Sequence, residues 1–320
     1  MKTCAVIVSF NSDKVFRCYE SVKEQVDFVI IVDNATSDAD IIAKLKILSD
    51  GNDKVQLVLS HKNLGIAWAL NQGVKYAKEK NYYWLLTLDQ DSQLPPETVK
   101  NMKRNYGKLP DGEKDKAGVL GCKYVERQFT KLETDNEKIL VEADCGLKKF
   151  NSAQSMEKDN SKTVQKPRFY HRDKIFKENN LMINSGNFIK MSVFEKAGGF
   201  CEKLFIDYVD IEFYYRVLKA GFKNYEAQNV YIIHEFGSSQ KKFGFHITNQ
   251  PPFRRYYIAR NGIYFFKKFM FTYPYRALRV MFGATMGGAI KIALFEKDKI
   301  KKYKYILLGI KDALFNKMEN

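Results

Sequence analysis

The stretch Trp84-Leu85-Leu86-Thr87-Leu88-Asp89-Gln90-Asp91 is an apolar run of strand composition that ends in two carboxylates one residue apart. In an open α/β sheet, ligands sit in the crevice beyond the carboxyl ends of the strands. The run therefore predicts a parallel sheet with Asp89 and Asp91 projecting into that crevice from a rigid base. Alternate residues of an extended chain point the same way, which lets both carboxylates approach one divalent cation. Asp38-Ala39-Asp40 repeats the triplet pattern with no apolar run leading into it, and reads as a loop or a helix start. Context, not the triplet, makes Asp89 and Asp91 a candidate site.

Working outward, the first third of the chain alternates strand and helix patterns. Residues 5–10, 28–33, 55–59 and 83–88 read as strands, and residues 15–25, 41–48 and 65–80 as helices. Near-continuous Val, Ile and Leu strands separated by helical segments indicate βαβ units and a mostly parallel, Rossmann-like sheet with helices on both faces. Neither Gly-x-Gly-x-x-Gly nor Gly-x-x-x-x-Gly-Lys-Ser/Thr occurs, which disfavours a dinucleotide dehydrogenase and a P-loop NTPase. The pattern weakens over residues 123–180, and residues 152–165 read as a polar loop without periodicity. Structure returns over residues 182–189. A helix at 192–197 stops at Gly198-Gly199, and a longer one around 210–220 stops at Gly221. After about Arg254 the chain is helical, aromatic and basic. The organisation expected is a domain over residues 1–268, with a nucleotide-binding half (1–122) and an acceptor half (123–268), followed by a basic amphipathic helical region over 269–320.

At 320 residues the chain can bury a full core, and its 45% hydrophobic content excludes general disorder. A formal charge of +16, from 53 basic and 37 acidic residues, calls for a negatively charged partner: nucleic acid, an anionic membrane or a phosphorylated substrate. The five cysteines, Cys4, Cys18, Cys122, Cys145 and Cys201, are odd in number and lack a Cys-x-x-Cys pair, so neither a disulfide framework nor a zinc site is expected. A reducing cytoplasm fits this usage. Residues 3–10 are too short for a secretory signal core. Residues 277–295 carry Arg279, Lys291 and several glycines, and read as an amphipathic or buried helix rather than a span.

Four further features line up with the two aspartates. Asp33-Asn34-Ala35-Thr36-Ser37 places a carboxylate at the same sheet edge, for a nucleobase N–H or ribose hydroxyls, or simply for a helix-capping turn. Asn63-Leu64-Gly65 opens a helix whose free amides would face a diphosphate, or form an ordinary cap. Phe205-Ile206-Asp207-Tyr208-Val209-Asp210-Ile211-Glu212 sets three acids among apolar residues. Asp207 and Asp210, three apart, can share one helical face, and an apolar setting raises a carboxyl pKa toward that of a useful base. Val230-Tyr231-Ile232-Ile233-His234 is an apolar strand ending in an imidazole, to complete a metal shell, hold a phosphate or serve structure alone.

In this order, these residues resemble the inverting family 2 glycosyltransferases of the GT-A fold, over roughly residues 3–268. Phe205-Ile206-Asp207-Tyr208-Val209-Asp210 with Arg216, and Tyr256-Tyr257-Ile258-Ala259-Arg260-Asn261, look most like the bacterial rhamnosyltransferases within that family. The resemblance implies that Ser9, Asn11 and Asp33 border the nucleoside, with Asn63, Gly65 and Asp89 nearby. Asp89 and Asp91 would be the family's Asp-x-Asp, with Asp91 the principal ligand of Mg²⁺ or Mn²⁺ and His234 reaching the metal or the diphosphate. Asp210 matches the second position of the family's Glu-Asp motif, the general base. Val209 stands where many members have Glu, which leaves the base as Asp210 alone or assisted by Asp207. Ser185-Gly186-Asn187 matches a turn near the donor sugar, and Asp207 and Arg260 join the donor and acceptor side. The implied donor is dTDP-rhamnose, with UDP-hexoses and UDP-galactofuranose as alternatives, and the implied acceptor is a growing surface glycan or lipid-linked glycan. A homo-oligomer and peripheral attachment to an anionic membrane surface, on the cytoplasmic side, are further expectations. The rival class is a nucleic-acid-binding protein using Arg254, Arg255, Tyr256, Tyr257, Arg260, Tyr264, Lys267 and Lys268. It lacks any recognised nucleic-acid signature and leaves the acids at the strand ends unexplained, so no nucleic acid is expected.

Overall fold

The Val, Ile and Leu runs of the first third form four parallel strands, β1 (Thr3–Ser9), β2 (Phe28–Asp33), β3 (Val55–Leu59) and β4 (Trp84–Asp89). Between them lie α1 (Lys14–Val22), α2 (Ala39–Asp50) and α3 (Ile66–Glu79). The computed structural model describes residues 1–127, 130–132, 139–141, 175–235, 239–242, 245–315 and 317–318; the polar stretch 152–165 and Cys145 lie outside them. The strands alternate in what they bury. Ala5, Ile7, Val29, Ile31, Leu86 and Leu88 join one core with Val15, Cys18 and Val22 of α1 and Leu45 of α2. Cys4, Val6, Val8, Ile30, Val32 and Leu85 join a second core with Ala67, Leu70 and Ala77 of α3. Both faces of the sheet are thus covered, which is why its strands read as continuous apolar runs. Asp38 is the N-cap of α2 and accepts from the amides of Asp40 and Ile41, as a helix-start reading of that triplet requires.

Beyond β4 the chain adds β5 (Ser92–Gln93), α4 (Thr98–Gly107), α5 (Asp111–Lys116), β6 (Ala117–Glu126), the small β7 (Thr130–Leu132) and β8 (Ile139–Val141) pair, and β9 (Phe176–Glu178). It continues with β10 (Asn187–Lys190), α6 (Met191–Ala197), α7 (Val209–Lys219), β11 (Lys223–His234) and a hairpin of β12 (Ser239–Lys242) and β13 (Phe245–Thr248). The main sheet runs β3-β2-β1-β4-β10-β6-β11-β5, with β9 also paired to β11. β10 is antiparallel to β4 and β6, so its N-terminal end lies at the edge where the parallel strands deliver their C-terminal ends. That reversal brings the turn at residues 184–186 beside Asp89. The sheet is mixed and mostly parallel, with helices on both faces, as the apolar runs predict.

The C-terminal region is helical: α8 (Pro252–Phe269), α9 (Pro274–Phe282), a π-helical turn (Gly283–Gly287), α10 (Gly288–Phe295) and α11 (Lys299–Leu314). α8 is the element on which the others are seated. A buried charged group ties them together, with Glu296 bonded to Arg255 of α8 and, at 2.9 Å, to Lys302 of α11; Lys302 also reaches Asn249 at 2.6 Å. Residues 277–295, expected to be amphipathic or buried, lie within one continuous 22-residue helical run, Pro274–Phe295, in which only Ala277, Ala284, Gly288 and Ile292 are buried.

α8 also fixes the loop that precedes α7. Phe205, Asp207 and Tyr208 all have left-handed φ (61°, 61° and 66°), and such non-glycine residues cost roughly 1–3 kcal/mol each unless their surroundings hold them. Asn261 Nδ2 donates to the carbonyls of Leu204 (2.8 Å), Ile206 (2.8 Å) and Asp207 (2.9 Å). Arg260 Nη2 donates to Lys203 O at 2.7 Å, and the Phe205 ring stacks on Tyr257 with centroids 4.9 Å apart. Ile66 N donates to Phe205 O at 2.7 Å; Gly65, at φ +88°, passes so close that a Cβ there would lie 2.6 Å from the same oxygen. Asn261→Ala removes the donor shared by three carbonyls. It is expected to lower unfolding free energy by about 1–3 kcal/mol, read by denaturant titration, and to accelerate amide exchange across residues 204–208.

Candidate active site and its metal-ligand group

β1 and β2 end, β4 releases Asp89 and Asp91, and β11 ends in His234 at one edge of the sheet, where a cavity of about 700 Å³ opens. Its wall includes Asn34, Asn63, Gly65, Asp89, Asp91, Asn184, Asp207, Asp210, His234, Glu235 and Arg254. Asp89, Asp91 and His234 each present a ligand atom within 4.8 Å of the others. His234 Nδ1 lies 3.4 Å from Asp91 Oδ1 and is held at 2.8 Å by Ser92 Oγ. Ser92 Oγ lies 2.6 Å from Ser185 Oγ, which accepts from Asp89 N at 3.0 Å. The antiparallel β10 thereby steadies the acidic strand end through its preceding turn.

Asp91 Oδ1 is buried and accepts no hydrogen bond among the described residues. A buried carboxylate oxygen without a donor carries a large desolvation cost, and a cation is its natural partner. Two carboxylates and an imidazole suit a divalent ion of the Mg²⁺ or Mn²⁺ kind, so the residues fit the group expected there. Charge in the cavity argues the same way. Asp89, Asp91, Asp207, Asp210 and Glu235 face it, while Arg254 is the only lysine or arginine on its wall among the described residues. A diphosphate entering so acidic a space meets repulsion unless a cation compensates. Burial pushes the Asp89 carboxyl up to about 6, against the opposing effect of His234 and with Asp91 adding to it.

Asp210 sits in the first turn of α7, with Oδ1 accepting from Ile211 N at 2.8 Å. Burial pushes its carboxyl up to about 6; the Ile211 amide pulls it down, and the Asp207 and Asp89 charges raise it further. Asp207 faces the same cavity but is not on that helix, because Tyr208, at φ 66°, is the N-cap. It forms a bidentate pair with Arg254, at 2.9 Å for each of the two best contacts. Glu212, the third acid of the motif, points the other way, fully buried against Arg216 (2.7 Å) and Lys268 (2.6 Å).

The other residues singled out in sequence take supporting places. Asp33 is buried and accepts from Thr36, at 2.8 Å from N and 2.6 Å from Oγ1; it closes a turn after β2 rather than capping α2, whose N-cap is Asp38. Asn11 accepts from the Ser37 amide at 2.8 Å, and Ser9 is buried at the end of β1. Asn34, which sequence reasoning passed over, faces the cavity in place of Asp33 and bonds Asn63 at 2.9 Å. Around the start of α3, Leu64 N is taken by Asn34 Oδ1, Gly65 N by Asn63 Oδ1 and, within the helix, Ile66 N by Phe205 O. Gly186 takes the left-handed turn before β10, and Asn187 is a buried clamp on Ile183 O and Asn184 O. Neither lines the cavity, nor does Arg260, which lies buried behind the loop it holds.

The basic, aromatic set that motivated a nucleic-acid reading is engaged internally. Arg254 pairs with Asp207, Arg255 with Glu296, Tyr256 with Asp312 and Lys268 with Glu212, while Lys267 donates to Ala313 O.

Residues 4–196, more than half of the chain, match the family described as Glycosyl transferase family 2. The chain is 27% identical over 313 residues to the dTDP-rhamnosyl transferase RfbF of Shigella flexneri, covering 97% of this chain and 94% of that protein. Among solved structures it is similar to GalNAc-T7 with UDP, GalNAc and Mn²⁺ at a TM-score of 0.49 and 13% identity; the match covers 82% of this chain and about half, 51%, of that one. S. aureus TarS 1-349 has the same TM-score at 12% identity, over 99% and 72% of the two chains. With a mixed sheet whose strand ends gather two aspartates and a histidine, and a family match that runs from β1 through α6, the chain belongs to glycosyl transferase family 2.

Proposed function

We propose that this glycosyltransferase is inverting and metal-dependent, and moves rhamnose from dTDP-rhamnose onto a growing bacterial surface polysaccharide or lipid-linked glycan. The observation that carries the reading is that Asp210 shares one cavity with the Asp89, Asp91 and His234 group. The name of the Shigella relative, a dTDP-rhamnosyl transferase matched nearly end to end, supports the donor; UDP-hexoses and UDP-galactofuranose are the alternatives.

Asp91, Asp89 and His234 would hold the Mg²⁺ or Mn²⁺, which when bound supplies Lewis-acid neutralisation of the charge growing on the diphosphate. Asp210 takes the proton of the acceptor hydroxyl. The oxygen forms its bond to the anomeric carbon as the bond to the diphosphate breaks on the opposite face, which inverts the configuration. A carboxyl raised to about 6 is suited to be that base, being ionised at neutral pH yet basic enough to take a proton in the transition state. Arg254 would exchange part of its pairing with Asp207 for the departing phosphate, as the only guanidinium on the described wall. Asn34 and Asn63 border the nucleoside end, with Ser9, Asn11 and Asp33 fixing the loops behind them.

Asp91→Ala is expected to abolish both transfer and the metal-dependent part of dTDP binding, because the remaining ligands leave the diphosphate charge poorly compensated. Calorimetry with and without Mn²⁺ reads this, and an unchanged metal dependence would remove Asp91 from the site. Asp210→Asn should keep nucleotide affinity while losing turnover by about a hundredfold or more. The base acts only when deprotonated, so wild-type turnover should rise through about pH 6 and level off above it. That acid limb should vanish in the variant. Near-normal turnover in Asp210→Asn would shift the base role to Asp207, since Glu212 is buried away from the cavity.

A further inference from the structure

The helical run Pro274–Phe295 is built inside out for a helix in water. Its buried seam is made of small residues, Ala277, Ala284 and Gly288, with Ile292, and Gly262 of α8 meets Ala284 with no room for a side chain. Its large residues point outward: Tyr275, Leu278, Phe282, Met286, Ile290 and Leu294 are all exposed, Met286 by 57% and Leu294 by 65%. Spaced three or four residues apart, they form one continuous stripe. α11, tied to this run by the Tyr303 hydroxyl donating to Ala289 O at 2.9 Å, shows a second exposed face. There Ile300, Leu307, Leu308 and Phe315 alternate with Lys301, Lys304 and Lys311. From Pro274 onward the sequence holds ten lysines and arginines against four acids.

We infer that this pair of helices is a docking surface for an anionic lipid bilayer. An exposed apolar patch of this kind calls for a cover, and charge selects which one. A second copy of the chain seated face to face would set lysine against lysine, whereas a lipid interface takes the apolar side chains into the acyl boundary and lets the lysines reach up to phosphates. The run is long enough to cross a bilayer. Its seam on α8 keeps one side against protein, so the helix lies along the surface rather than through it. The inference stands apart from the proposed donor and acceptor, and its test does not use transfer activity.

Flotation of the full-length protein with phosphatidylcholine vesicles, with and without phosphatidylglycerol, tests it. The protein should float with the anionic vesicles at low salt, stay behind with phosphatidylcholine alone, and be released by raised salt or alkaline carbonate. The combined Lys301→Ala, Lys304→Ala and Lys311→Ala variant should partition about a hundredfold more weakly, at about fivefold per lysine. Phe282→Gln with Ile290→Gln should also weaken binding, with an unchanged thermal melt as the control for folding. Failure to float at low salt, equal flotation with both vesicle types, or variants that bind as the wild type would overturn the inference. So would retention after carbonate, which means crossing, or a dimer in light scattering that Phe282→Gln dissociates, which means a second copy is the cover.

Discussion

The repulsion among carboxylates gathered at one edge of the sheet is the constraint to which the rest of the structure answers. Asp89, Asp91, Asp207, Asp210 and Glu235 face a single cavity. Acids so placed are tolerated only if they are partnered, protonated or bound to a cation. Glu235 is partnered by Lys14 and Arg17 from α1, and Asp207 by Arg254 from α8. Asp89 and Asp210 are pushed toward protonation by burial, and Asp91 keeps a buried oxygen without a donor beside His234. The remaining charge is what the proposed divalent ion and diphosphate would compensate, so an arrangement that is costly alone would suit that ligand.

Two elements from the second half of the chain convert that edge into a site. β10 enters the sheet antiparallel, which places Ser185 against both the Asp89 amide and Ser92, and Ser92 in turn holds the His234 ring. α8 then reaches across with Asn261 and Arg260 to fix a loop of left-handed residues, from which Asp207 faces the cavity and which sets Asp210 at the start of α7 toward it. The geometry of the acids therefore depends on segments about a hundred residues or more away from Asp89 in sequence.

The C-terminal helices serve the site from one side and present an apolar surface on the other. Tyr257 and Arg260 support the loop, and the group formed by Arg255, Glu296 and Lys302 locks α8, α10 and α11 to each other. Buried groups of this kind are weak sources of stability but costly to break singly, which suits them to fixing relative position.

The strand ends were legible in sequence because a buried parallel strand must be apolar throughout, so its abrupt acidic finish is a local signal that survives without any knowledge of neighbours. β2 and β3 fall at the residues read for them, and Asp38 caps α2. The Asp89, Asp91 and His234 grouping was legible too, since each follows an apolar run to the same edge. Sequence left Asp33 open between a nucleoside contact and a helix-capping turn, and each of its oxygens accepts from Thr36 in a loop turn that caps no helix. It held no sign that Asn34 would face the cavity and hold the Leu64 amide, or that Arg254 rather than Arg260 would reach the wall. Helical spacing left open whether the apolar face of Pro274–Phe295, with Leu278, Phe282, Ile290 and Leu294, would pack inward or face outward; in the structure those large residues face outward. Those outcomes turn on which distant segment occupies each position: periodicity fixes which residues share a face, while only the tertiary structure decides what that face meets.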